Sequence, residues 1–146
     1  MRKTHQLFTV LLVIIMSSAF APNIDNSNWT LYKELNGVQI YTKVNNCQLP
    51  STTKSNEYIL FKYVNTTNKN KRISGRVDAY YNNLCRSCNL DSPNEYEFSI
   101  DLKAGQFQEG NCSDELKAFK LYYSSKDKRI AALSKFEFSN LIVADF

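Results

Sequence analysis

The sequence predicts an all-β protein, an antiparallel β-sandwich of seven to eight strands, with a small β-barrel as the alternative architecture. Three observations carry this. Short segments alternating between apolar and polar residues recur at intervals of about 10–16 residues, the spacing of sandwich strands. No segment sustains the 3.6-residue apolar period of a long helix. Polar loops and turn-forming dipeptides separate the segments.

The N-terminus reads as a secretory signal. Arg2 and Lys3 precede an apolar run from Leu7 to Met16 broken only by Thr9, and Ser17, Ser18, Ala19 and Ala21 supply the small residues of a cleavage region. A run of about ten residues is too short for a bilayer, which needs roughly twenty. Residues 1–21 are therefore expected to be a signal peptide, cut after Ala19 or Ala21, and residues 22–28 a flexible leader. A single domain over 29–146 follows, of a size that fits one core.

Asn36-Gly37 is the preferred dipeptide for a two-residue type I′ hairpin turn. Folding about it pairs Leu35 with Val38, Lys33 with Ile40 and Leu31 with Thr42, and sets Tyr32 opposite Tyr41. A polar connection carrying Cys47 and Pro50 leads to a strand from Tyr58 to Val64. Residues 65–71 hold no apolar side chain and are expected to be a hairpin loop into Ile73–Tyr81. There Ile73, Gly75, Val77, Ala79 and Tyr81 share one face, the small residues implying a close neighbour. After the Cys85/Cys88 loop, Tyr96, Phe98, Ile100 and Leu102 alternate with Glu97, Ser99 and Asp101. Gly105 turns the chain into a short strand ending near Cys112. Leu116–Tyr123 and Phe136–Val143 complete the set. From Tyr58 onward this succession resembles an immunoglobulin- or fibronectin-III-like module. The resemblance is architectural and brings no function with it. The chain is also similar to small secreted proteins with a comparable Cys-x-x-Cys loop.

Composition excludes several chemistries. His5 is the single histidine and lies in the signal segment, so the exported chain has no imidazole for acid–base, triad or metal chemistry. Removing Arg2 and Lys3 from 18 basic residues leaves 16 against 14 acidic ones, a net charge of +2. That balance gives no reason to expect nucleic acid as partner. No cofactor fingerprint is present.

Cys47, Cys85, Cys88 and Cys112 are the disulfide candidates. Alternating strand directions bring all four to one end of a sandwich, and an exported chain favours two bridges. The preferred pairing joins Cys47 to one member of the Cys85/Cys88 pair and Cys112 to the other. Cys85–Cys88 with Cys47–Cys112 is the remaining arrangement considered. A four-cysteine zinc site would lack the second Cys-x-x-Cys knuckle. Thiol-redox chemistry at Cys85-x-x-Cys88 would lack an activating helix N-terminus.

Other candidates are the oxygen-rich run Asn89, Asp91, Asn94 and Glu95, read as a turn rather than a calcium site, and the acidic row Glu95, Glu97 and Asp101, read as a solvated strand face. Tyr32, Tyr41 and Tyr80 are the candidate binding residues, an aromatic platform for sugar or peptide. Asn28, Asn65 and Asn111 head N-x-[ST] sequons, which matter where the source glycosylates them. The function expected is a secreted or periplasmic, non-catalytic domain binding a protein or glycan, or serving structurally. The alternative is a thiol-redox or metal-handling protein built on Cys85-x-x-Cys88.

Overall fold

The computed structural model describes residues 29–48 and 54–146. The signal segment, the leader, Asn28 and Pro50 lie outside the described residues. The described chain forms strands β1 (Thr30–Leu35), β2 (Val38–Gln48), β3 (Ser55–Asn65), β4 (Lys71–Tyr81), β5 (Leu84–Cys85), β6 (Glu97–Leu102), β7 (Phe107–Glu109), β8 (Lys120–Ser125) and β9 (Leu133–Asp145). They make two antiparallel sheets. The first runs β1-β2-β3, and the far side of β3 pairs with β8 along its first half and β7 along its second. In the second, β4 is central, with β9 along one side and β6 and β5 sharing the other. Among the described residues no ladder joins the two sheets, so the architecture is a sandwich and the barrel alternative falls.

The Asn36-Gly37 turn forms as expected, with φ of 48° and 77°. Leu35 faces Val38 and Lys33 faces Ile40. Beyond that the register shifts, so Leu31 faces Tyr41 and Tyr32 is the bulged residue. Tyr32 and Tyr41 are therefore not opposite each other. A bulge lets one residue break the alternation, and here the gain is aromatic: the Tyr32 ring stacks on Phe136 at 5.0 Å, across the sandwich on β9. That contact and the hydrogen bond from Asn36 Nδ2 to the Val143 carbonyl, 3.2 Å, close the β1/β9 side.

Residues 65–71 do not close a hairpin. β3 and β4 belong to different sheets, so this loop crosses between them. Its anchor is Asn65, fully buried. Asn65 Nδ2 donates among the carbonyls of Lys69 (2.7 Å), Lys103 (3.0 Å) and Leu102 (3.4 Å), while its Oδ1 accepts from the Thr67 amide and hydroxyl. A tight hairpin missed in the sequence lies further on. Asn82 and Asn83 both have positive φ, which lets a two-residue turn fold β5 back onto Tyr80 and Tyr81. This short strand carries Cys85.

The core lies between the sheets. Val38, Ile40, Phe61 and Tyr63 from one meet Ile73, Val77, Ala79, Leu102 and Phe138 from the other, with Leu121 beside them. Phe61 meets Phe136 and Phe138 edge-on at 5.2 and 5.3 Å, so these two rings of β9 form an inter-sheet contact. Tyr63 is fully buried, and its hydroxyl donates to the Ala118 carbonyl at 2.6 Å.

Burial pushes the Tyr63 phenol well above the ordinary tyrosine value. Tyr81 is raised too, first by burial and then by the neighbouring Tyr96, Tyr122 and Tyr58. An unfolded chain releases tyrosine protons near pH 10, whereas the folded one retains them at these two positions. Stability complete below about pH 10 is therefore lost as pH rises further, with a slope of up to about 2.7 kcal/mol per pH unit for two such groups. Urea titrations at pH 9, 10 and 11 measure that slope.

Gly110 marks the tightest backbone approach among the described glycines. A Cβ built there would lie 2.1 Å from the Phe119 carbonyl oxygen and 2.8 Å from its carbon, both backbone atoms. The same stretch is fixed by bonds from the Gly110 amide to the Phe61 carbonyl (2.8 Å) and from the Phe61 amide to the Phe119 carbonyl (3.0 Å). Gly110→Ala must push these segments apart. We expect a loss of about 3 kcal/mol, the upper end for overpacking, read as a lower urea midpoint.

Candidate functional site

The cysteines pair as Cys47–Cys112 and Cys85–Cys88, with Cα–Cα distances of 5.4 and 5.7 Å. This is the second of the two arrangements expected, and the preferred cross-pairing is overturned. The physical reason is the sheet assignment. Strand alternation does carry Cys47 and Cys112 to the same end, where Cys47 faces Asn56 at the start of β3. Cys85 and Cys88 follow β4 on the other sheet, and the Asn82-Asn83 turn already folds them against that strand. All four described cysteines are bonded, so the four-cysteine zinc reading is removed as well.

The two bridges differ in what they constrain. Cys47–Cys112 spans 65 residues, and the chain-entropy model assigns such a loop about 4 kcal/mol. Cys85–Cys88 spans 3, for which the same model gives about 2 kcal/mol. The first is therefore the structural clasp. The second cannot be explained by stabilisation to the same degree.

Cys85 and Cys88 are both half-buried. Around them stand Ser87, fully buried, and Asp78, 5% exposed. The Arg76 guanidinium holds Asp78 at 2.7 Å, and this hydrogen bond raises the arginine's own proton affinity. Ser87 Oγ accepts the Ala79 amide at 3.0 Å, and the Arg86 amide donates to the Ala79 carbonyl at 2.8 Å. The Cys88 amide donates to Cys85 Sγ at 3.1 Å, and the Tyr80 hydroxyl lies 3.6 Å from Cys88 Sγ. Ligand atoms of Asp78, Cys85 and Cys88 come within 4.8 Å of one another, the one such group of three among the described residues. While the disulfide is closed, Asp78 is the one carboxylate of this group, and Arg76 already holds it.

The three tyrosines do not form one platform. Tyr32 is committed to Phe136 and Phe138. Tyr41 is buried on the outer face of the first sheet, donating to Gln39 Oε1 at 2.8 Å. Tyr80 donates to Glu137 Oε1 at 2.8 Å, which raises its pKa above the ordinary value, and the Lys135 ammonium sits over its ring at 4.1 Å. The oxygen-rich run is a turn in which the Asn94 side chain bonds Asp91, Tyr96 and Glu97. Of the sequons, Asn65 is sealed inside the fold and Asn111 is exposed.

Sequence reasoning missed a cleft of about 520 Å³ on the side opposite the β1/β9 contact. Phe98, Ser99 and Ile100 of β6 form one wall, and Leu116, Ala118 and Phe119 form the other. The acidic row is at its rim, partly neutralised: Lys117 pairs with Glu95 at 3.4 Å, and Arg72 with Asp101 at 2.6 Å. The hydrogen bond to Arg72 holds the Asp101 carboxyl below the usual range. Leu116 is 64% exposed. Among the described residues β6 pairs only with β4, leaving its other edge toward this cleft.

The phase of that edge follows from one bond. The Val77 amide donates to the Tyr96 carbonyl at 3.0 Å, so the even-numbered residues of β6 bond β4, while residues 97, 99 and 101 turn their backbone groups outward. The Glu97 amide is taken by the Asn94 carbonyl, and the Asp101 carbonyl by Gln108 Nε2 at 2.9 Å. Between these two closed positions, Ser99 presents its N–H and C=O to the cleft. The sequence signal was there in the clean alternation of 96–102, but alternation does not say which edge is paired.

No family model, curated protein or solved structure matches the chain. Among the described residues, no helix is long and apolar enough to cross a membrane.

Proposed function

We propose that the chain is an exported, non-catalytic domain, immunoglobulin- or fibronectin-III-like in architecture, that binds an extended polypeptide segment at the cell exterior or in the periplasm. The partner adds a strand to β6. The observation that carries this is the outward-facing N–H and C=O of Ser99 between two capped neighbours, at the wall of an open cleft. An unpaired edge supplies affinity through main-chain bonds, and pockets beside it take alternate side chains. Here Phe98, Phe119 and Leu116 offer the apolar contacts. Export rests on the basic–apolar–small order of residues 2–21 and on the two disulfides.

Ser99→Pro tests it. Proline removes the outward N–H and leaves the β4 ladder intact, because residue 99 does not bond that strand. An array of random extended hexapeptides should bind the wild-type domain, and the variant should lose at least about tenfold in affinity, roughly 1.4 kcal/mol, at an unchanged melting temperature. Binding that survives the proline, or no peptide binding at all, sinks this reading. Retention on a glycan array instead would move the partner class to sugars.

A further inference from the structure

We propose that Cys85–Cys88 is an exchangeable disulfide, opened by an external dithiol and closed again without unfolding the sandwich, while Cys47–Cys112 stays shut. This is independent of strand addition at β6. The first argument is the frame. The loop's position is set by the Asn82-Asn83 turn, by pairing of Leu84–Cys85 with Tyr80 and Tyr81, by the Arg86 amide on Ala79, and by the buried Ser87 hydroxyl on the Ala79 amide. None of these bonds involves sulfur. Opening the bridge therefore leaves Cys85 in its strand and Cys88 next to the anchored Ser87, close enough to reclose.

The second argument is the surroundings of the two sulfurs. Both cysteines are half-buried rather than sealed in the core. The Cys88 amide already points at Cys85 Sγ, 3.1 Å away, and stabilises negative charge arriving there. The Tyr80 hydroxyl donates its hydrogen bond to Glu137 at 2.8 Å, so its oxygen, 3.6 Å from Cys88 Sγ, is free to accept from a Cys88 thiol. Asp78 stands within 4.8 Å of both sulfurs, its carboxylate held by the Arg76 guanidinium at 2.7 Å. An activating helix is not what this site uses.

The exchange balances as follows. One thiolate of the external dithiol attacks Cys88 Sγ, forming a mixed disulfide and releasing Cys85 as the thiolate that its amide partner favours. The second external thiolate attacks its own sulfur in the mixed disulfide and releases Cys88. Two electrons pass from the dithiol to the bridge, and its two protons end on Cys85 and Cys88. The external partner leaves as a disulfide.

Titration of the native protein with dithiothreitol, followed by iodoacetamide trapping and peptide mass mapping, tests this directly. Cys85 and Cys88 should become alkylated at reductant concentrations about tenfold or more below those that open Cys47–Cys112. The melting temperature should stay within a few degrees, and oxidised glutathione should restore the bridge. Simultaneous opening of both pairs, opening only with loss of the folded signal, or a Cys85–Cys88 bridge more resistant than the other would overturn the proposal.

Discussion

Asn65→Asp should cost about 3–4 kcal/mol, enough to leave a domain of ordinary stability partly unfolded at room temperature. The substitution keeps the shape of the side chain and reverses its chemistry. Asn65 Nδ2 faces the carbonyls of Lys69, Lys103 and Leu102. An aspartate oxygen there would meet those three acceptors with no donor between them, inside a site with no exposed surface. Protonation would relieve part of this, so the variant should recover stability as pH falls, opposite to the usual acid response of a paired carboxylate. Asn65→Ala loses the bonds without adding charge and should cost less, about 2 kcal/mol. Urea midpoints for both variants at pH 7 and pH 4.5 measure the difference. Equal losses at the two pH values for Asn65→Asp would show that the loop rearranges around it. The same burial predicts that the Asn65 sequon stays unmodified in folded protein, whereas Asn111 is open to a glycosylating enzyme.

Which parts of this were legible in the sequence follows from how local each determinant is. The Asn36-Gly37 hairpin needs only its own two positive φ values, and it forms in the expected register next to the turn. Register is lost at Tyr32 because its partners, Phe136 and Phe138, lie about a hundred residues away on the other sheet. The polar run 65–71 has the composition of a loop, and residues 66–70 form one. Nothing in composition separates a hairpin from a crossover, and what decides is the core face of β4 packing onto β3 rather than pairing with it. The disulfides show the same division. Strand direction was enough to bring Cys47 to Cys112, but the partition of cysteines between sheets depended on that crossover. One local signal was available and unread: Asn82-Asn83, directly before Cys85, favours left-handed backbone and a tight return, which keeps Cys85 and Cys88 together.

Removing Cys47–Cys112 by the double substitution Cys47→Ser, Cys112→Ser should cost about 4 kcal/mol, against at most about 2 kcal/mol for the corresponding change at Cys85 and Cys88. Loop length supplies the first part of the contrast, 65 residues against 3. The structure supplies the second. At the short bridge, Ser87 and Arg86 hold the loop to Ala79 whether or not sulfur is bonded. At the long one, the segment after Gly110 is held at its start by Phe61, at Cys112 by the disulfide and the Lys120 Nζ bond to the Cys112 carbonyl, and at its end by the Phe61 amide on the Phe119 carbonyl. That segment leads directly into Leu116, Ala118 and Phe119, the wall of the cleft opposite β6. Loss of this bridge should therefore reach the proposed binding edge as well as global stability. Amide exchange should accelerate at residues 112–119 of the Cys47/Cys112 variant at denaturant-free conditions, while β4 and β5 remain protected. Equal urea midpoints for the two double variants would show that neither loop length nor the Ala79 anchors govern the difference, and that both bridges act through the folded state alone.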